Sequence, residues 1–492
     1  MNYNPSIYEI NTRVWLKQFC KDNGNALLAD VPNSYWDQFE KYGVDYIWLM
    51  GVWKTCDNIV EKYCFDENLV KSYDKALKGW KKQDVIGSPF AIDVYNISPH
   101  VGDMKSFQNL KSYLNKKGIK LILDFVPNHF SAGSSLIRIN PGIFLSVSKE
   151  IFERDSYTFF QPFIEEEKYF AHGRDPFFPA WQDTIQVDLF KYEAREFLTN
   201  TLLQLTKICD GVRCDMAMLA LNNVFKNTWG SALSESDDIT IYPNFWQTAI
   251  KKVKKESPNF IFIAETYWDL EWTLQQQGFD FTYDKKLTDR LKNSPASDIL
   301  GHLQAKTEYQ IKSLRFIENH DEERALTVFG KNKSKAAAVI ISTIQGMKLY
   351  FDGQFEGKRI KLPVQMGRAA DELENREIKD FYKTLLLITS KEIFKLGRWH
   401  LLEPLPSWEN NEAFKNILAW QWIYKNEKRV IVINYSSSTA TCLLKLDVRG
   451  YQEELLIEDL FNNKTYTRSA EEVFNTGLYI ELKPYQSHIF SF

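Results

Sequence analysis

The chain of 492 residues balances 61 basic against 64 acidic side chains, and a formal charge of −3 leaves no cationic excess for nucleic acid or another polyanion. No uncharged apolar run approaches the roughly 20 residues that span a bilayer, so neither a membrane nor a nucleic acid is expected as a partner. The unusual feature is ring content, 14 Trp, 24 Tyr and 34 Phe, which supplies stacking surface for ligands such as sugars as well as for a core.

The first segment, MNYNPSIYEINTRVWL, lacks the basic region, apolar stretch and cleavage site of a secretory leader, which points to a cytoplasmic protein. Cys20, Cys56, Cys64, Cys209, Cys214 and Cys442 form no C-x-x-C pair and read as free thiols of a reducing compartment. Short apolar runs then recur at YEINTRVWL, VDYIWLMGVW, IKLILDFV, CDGVRCDM, NFIFIAET, FDFTY, SLRFIEN and MKLYF. Helical spacing lies between them, as at Phe107, Leu110 and Leu114, stopped by Gly118 where a left-handed cap is needed. Gly43 holds the same place before the second run.

Eight such alternations predict an α/β fold, a (β/α)8 TIM barrel, with an open doubly wound sheet as the alternative. Two excursions interrupt it. One, from about Lys54 to Ser98, follows the second strand; the other, residues 130–185, follows the third and contains Phe159, Phe160, Phe163, Phe177, Phe178 and Trp181, the composition of a small inserted subdomain. Both leave the C-terminal ends of strands and should overhang a cleft. From residue 396 the pattern changes to alternating strands, NILAWQWIY, RVIVINYS, ATCLLKLDV and GLYIELKP, expected to form an all-β sandwich. The predicted division is therefore a barrel over residues 1–129 and 186–395, an inserted subdomain over 130–185 and a C-terminal β-sandwich domain over 396–492.

Four predicted strands end in polar clusters: Asp124, Asn128 and His129 after the third, Arg213 and Asp215 on the fourth, Glu265 on the fifth, His320 and Asp321 after the seventh. A carboxylate at one strand end is commonly a helix cap. Barrel strands, however, deliver their ends to one mouth, so acids from strands four, five and seven become neighbours. Three acids and an arginine suit cleavage of a glycosidic bond, in which one carboxylate attacks, a protonated carboxyl supplies acid and base, and a third acid holds hydroxyls. No serine elbow, phosphate-cradling glycine loop or zinc-type spacing competes.

At these residues the chain resembles the α-amylase family of glycoside hydrolases and transglycosidases. DFVPNH, GVRCD, AET and NHD are similar to the family's signatures in their family order, IQVDLF to the segment closing its inserted subdomain, and YFDGQFEG to a stretch after strand eight. The resemblance implies Asp215 as nucleophile, Glu265 as general acid and base, and Asp321 as transition-state stabiliser. It implies that Arg213 orients Asp215 and that His129 and His320 contact the sugar, with Asp124 either touching substrate or bracing the barrel mouth. Arg324 is either functional or paired with a local acid.

Phe90 takes the place of a stacking ring that is Tyr in many members, and Ala91 that of an acid found in exo-acting α-glucosidases. After Asp215 the sequence reads MAML in place of the family's Lys-His, a group linked to leaving-group binding and calcium. No cofactor is implied as required. Asn128 and Asp188 keep part of a calcium site. Of the rings near the mouth, Trp53, Trp181, Tyr267 and Trp268 are candidates to line subsites. The substrate implied is an oligo- or polysaccharide, the reaction retaining hydrolysis of α-glucosidic bonds; the alternatives are transfer to a sugar acceptor and an inactive carbohydrate-binding relative.

Overall fold

The computed structural model describes residues 4–20, 26–233, 243–450 and 453–492, so residues 1–3 of the N-terminal reading lie outside it. Eight parallel strands close into a barrel in sequence order: β1 Ser6–Asn11, β2 Tyr46–Met50, β3 Lys120–Phe125, β4 Gly211–Cys214, β5 Ile261–Ala264, β6 Phe281–Tyr283, β7 Ser313–Arg315 and β8 Met347–Phe351. Closure is made by β1, which pairs with β2 on one side and β8 on the other. Seven of the strands fall within predicted runs, β1 begins two residues before its run at Tyr8, and the open sheet is set aside.

The runs are continuously apolar because both faces are covered. Ile7, Trp48, Ile122, Ile263, Leu314 and Leu349 fill the interior. Ile10, Ile47, Leu123, Val212 and Phe262 face outward under the helices. A Cβ on Gly211 would stand 2.6 Å from the Ile261 carbonyl oxygen and 2.8 Å from Ile122 Cδ1, so β4 packs this closely only with glycine there. The helix Met104–Lys116 buries Phe107, Leu110 and Leu114, is capped by Asp103 accepting from Ser106 N at 2.8 Å, and ends at Gly118, whose φ of 76° is the left-handed stop expected.

Between β6 and β7 lies a buried ion pair. Asp284 accepts from Arg315 Nη1 and pairs with His302 Nε2 at 2.8 Å, while its other oxygen caps a helix through Leu287 N at 3.1 Å. Arg315 is wholly buried.

After β3 the chain rises as His129–Ser131, which pairs antiparallel with the returning Thr184–Gln186. Between them a three-stranded sheet forms from Ser146–Val147, Tyr169–Ala171 and Phe159–Phe160. Phe159 and Phe160 are buried there; Phe177 and Phe178 are exposed. The segment after β2 carries a ribbon of Trp53–Thr55 with Ile92–Ile97 and the helix Glu67–Ala76. It is tied to the segment after β8: Arg368 donates through Nε and Nη2 to the two oxygens of Asp84 at 2.8 and 2.7 Å, and Ile86 N donates to Gln365 O at 2.8 Å.

The C-terminal part has a six-stranded antiparallel sheet and a two-stranded one, Ala440–Leu444 with Leu478–Leu482. Ala419, Val430 and Val432 from the first meet Cys442, Leu444 and Ile480 from the second in one core. The opposite face of the large sheet joins the barrel core through Trp420, Trp422, Ile431 and Ile433. Trp422 Nε1 donates to Thr343 O at 2.6 Å and the Tyr435 hydroxyl to Leu291 O at 2.6 Å.

Candidate active site

The cavity of about 820 Å³ at the barrel mouth is lined by His129, Asp215, Glu265, Tyr267 and Asp321 from the barrel strands' exits and by Phe90 from the first excursion. Both excursions overhang it, with Tyr63 and Asn68 from the first and Tyr157, Trp181 and Asp183 from the second.

Arg213 organises the two acids beside it. Its Nη1 donates to Asp215 Oδ1 at 2.7 Å and its Nη2 stands 2.9 Å from Glu265 Oε2. The guanidinium is buried among Trp48, Phe90 and Tyr283, its carbon 5.2, 5.2 and 5.7 Å from the ring centres. It does not line the cavity. Glu265 accepts two further bonds, from Met216 N at 2.6 Å and from the Tyr267 hydroxyl at 3.0 Å. The Met216 donor is aimed by a left-handed backbone, φ 42°, a conformation costly for a side chain of this size and found where function requires it.

Burial is the main force on both carboxyls. It lifts Asp215 above the ordinary aspartate value against the pull of Arg213. It lifts Glu265 to about 7, again against Arg213 and with help from Asp215 and Asp321. The pair therefore retains a proton into the neutral range.

Asp321 behaves oppositely. Its carboxyl sits in the cavity wall among other charged groups and opens onto the cavity. Burial would raise it, but His320, with Nε2 3.0 Å from Oδ2, brings it down to about 2. Burial likewise disfavours charge on His320, yet Asp321 and Glu9, the latter 2.5 Å from Nδ1, push it up to about 10. The imidazolium thus sits between two carboxylates and against Phe90, ring centres 5.4 Å apart. His129 packs on Trp181 at 5.3 Å and, by burial, is pushed down to about 3, so it is neutral.

Asp124 lies outside the cavity lining. Its oxygens accept from Trp48 Nε1 at 2.9 Å and Gly51 N at 2.7 Å, and its carbonyl from Trp53 Nε1 at 2.8 Å. Trp53 is accordingly buried, whereas Trp181 and Tyr267 reach the cavity and Trp268 packs on Phe177 at 4.9 Å. Arg324 pairs with Glu318 at 2.7 Å. Sequence reasoning passed over Glu9, a lone carboxylate in the apolar run of β1, and the hydroxyl of Tyr267; the first carried a signal, an acid on an otherwise apolar strand.

Asn128 and Asp188 do not fit a calcium ion. Asn128 Oδ1 and O both accept from Gln186 Nε2 at 2.9 Å. Asp188 Oδ1 accepts from Phe190 N at 3.1 Å, and its Oδ2 lies 3.3 Å from the Lys191 ammonium. A hard divalent ion takes six to eight oxygens free of such donors. Among the described residues no cluster of three or more His, Cys, Asp or Glu could hold a metal.

The family model described as the alpha amylase catalytic domain matches residues 39–427. A protein of Haloarcula japonica described as "Alpha-amylase MalA" is 21% identical over 451 residues, 90% of this chain and 57% of its own length. A cyclomaltodextrinase of Thermoanaerobacter pseudethanolicus is 23% identical over 75% of this chain and 61% of its own. The chain thus spans little more than half the length of these curated relatives. Among solved structures, a noncanonic maltogenic alpha-amylase from Thermotoga neapolitana superposes with a TM-score of 0.69 at 19% identity, covering 100% of this chain and 99% of that one. With the family model matched over most of its length and the strand-end acids gathered at one barrel mouth, this chain belongs to the α-amylase family.

Proposed function

We propose that the chain is a retaining glycosidase that cleaves α-glucosidic bonds, α-1,4 links of malto-oligosaccharides or related α-glucans first among them. The observation that carries this reading is the Arg213 fork between Asp215 and Glu265. One guanidinium reaching both favours the narrow carboxyl spacing of a retaining pair, about 5 to 5.5 Å. Asp215 attacks the anomeric carbon while Glu265 gives its proton to the departing oxygen, leaving a glycosyl ester on Asp215. Glu265, now ionised, takes a proton from water as that oxygen attacks, and the α configuration is restored. Asp321, held ionised by His320, faces the positive charge that develops on the sugar. Relatives described as an alpha-amylase, a cyclomaltodextrinase and an intracellular maltogenic amylase support the substrate class.

Phe90 is proposed to stack beneath the reacting sugar, with His129 donating to a hydroxyl and Asp124 bracing the mouth. His320, expected to contact the sugar, instead has its two nitrogens facing Glu9 and Asp321 and acts through Asp321. Phe90→Ala is expected to lower kcat/KM about tenfold by removing that surface, and Phe90→Tyr to leave it near wild type; steady-state kinetics on maltotriose checks both. The proton on Glu265 sets the alkaline limit. Activity is expected to fall about tenfold per unit above pH about 7, since the acid must be protonated to act, and a pH–rate profile reads it directly.

Transfer to a sugar acceptor is the second reading, favoured by Trp181 and Tyr267, rings in the same cavity as the acid. Incubation with maltoheptaose separates the two: shorter products alone indicate hydrolysis, longer ones transfer. An inactive binding protein would require that no α-glucoside be turned over. The proposed division into a barrel of residues 1–129 and 186–395, a subdomain of 130–185 and a β domain of 396–492 is supported by the separate sheets of the three parts. A cytoplasmic setting is supported by the free cysteines and by relatives described as intracellular.

A further inference from the structure

The root of the inserted segment is closed by a side-chain amide. Gln186 is fully buried, and the two hydrogens on its Nε2 are shared among Asn128 O and Oδ1 at 2.9 Å each and Val187 O at 3.0 Å. Three oxygens from two chain segments thus converge on one nitrogen, the arrangement a hard cation would collect at about 2.3 to 2.6 Å. An ion at those distances would overlap the amide itself. The orientation is forced, because the flipped amide would set its oxygen against three others; Gln186 Oε1 instead lies buried without a partner, the sacrifice that this orientation requires.

We propose that Gln186 takes the place of a cation here, so that the junction between the inserted segment and the barrel holds without metal. The amide pulls the exit of β3 onto the returning chain, where Val187 N also donates to Asn128 O at 2.9 Å. It thereby fixes His129, its partner across the ribbon, in the cavity wall. Lys191, close to Asp188, adds the positive charge that a divalent ion would otherwise bring.

Thermal unfolding followed by circular dichroism tests this independently of any catalytic assignment. The wild-type protein is expected to melt at the same temperature, within about 1 °C, after dialysis against EDTA and after addition of millimolar calcium. Gln186→Leu, which removes the donors, and Gln186→Glu, which sets a carboxylate against the same three oxygens, are each expected to melt about 5 °C or more lower in the absence of metal. A fall in wild-type melting temperature on chelation that calcium reverses would overturn the proposal, and so would a Gln186→Glu protein that melts with the wild type.

Discussion

Replacing Asp215 by Asn is expected to lower kcat by about 10⁴-fold or more with the fold intact. The amide oxygen can keep the bond that Oδ1 accepts from Arg213 at 2.7 Å, so packing changes little. What disappears is the charge, and an amide cannot form the glycosyl ester on which the reaction depends. Glu265→Gln is expected to lose about 10² to 10⁴-fold on an oligosaccharide, whose leaving group needs a proton. It should lose far less on α-glucosyl fluoride, whose leaving group needs none. That contrast assigns the two roles: recovery on the fluoride marks the acid, and its absence marks the nucleophile. Wild-type turnover by either purified variant on maltotriose would end the assignment.

The second large effect is on stability. Arg315→Met keeps the apolar stem but strips Asp284 of its cation in a fully buried site, and is expected to cost about 3 to 5 kcal/mol. His302 cannot compensate, since burial pushes its imidazole down to about 4 and leaves it neutral. Adding Asp284→Asn to Arg315→Met should restore part of the loss, because the uncompensated charge is then gone. Urea unfolding of the three variants reads the series, and a single variant with the wild-type midpoint would show that the pair holds nothing.

The eight barrel strands were legible because each is buried on both faces and so is written as an uninterrupted apolar run, short enough to be a strand. The acids were legible for a related reason: Asp215, Glu265 and Asp321 stand at or just beyond the ends of such runs. Partnerships were not. Glu9 meets His320 across 311 positions, and only closure of the barrel by β1 brings them together. Gln186 reads as one polar residue in IQVDLF, and its three acceptors include a side chain and a carbonyl 58 positions away. Asp124 shows the same limit in reverse. Its motif marks it as important, but the Trp48 and Gly51 donors that occupy it come from a strand and a turn about 75 residues earlier.

The way the large C-terminal sheet covers the barrel bears on synthesis. The helix Lys331–Thr343 is made before the sheet that covers it, so its apolar surface waits for Trp420 and Trp422 to be synthesised. At about 5 to 20 residues per second, synthesis of the stretch from residue 396 to residue 492 takes on the order of 5 to 20 s, during which the nascent barrel carries an uncovered apolar face. A ribosome stalled in that interval holds a chain with Asp215, Glu265 and Asp321 already made and the apolar face that Trp420 and Trp422 cover still open.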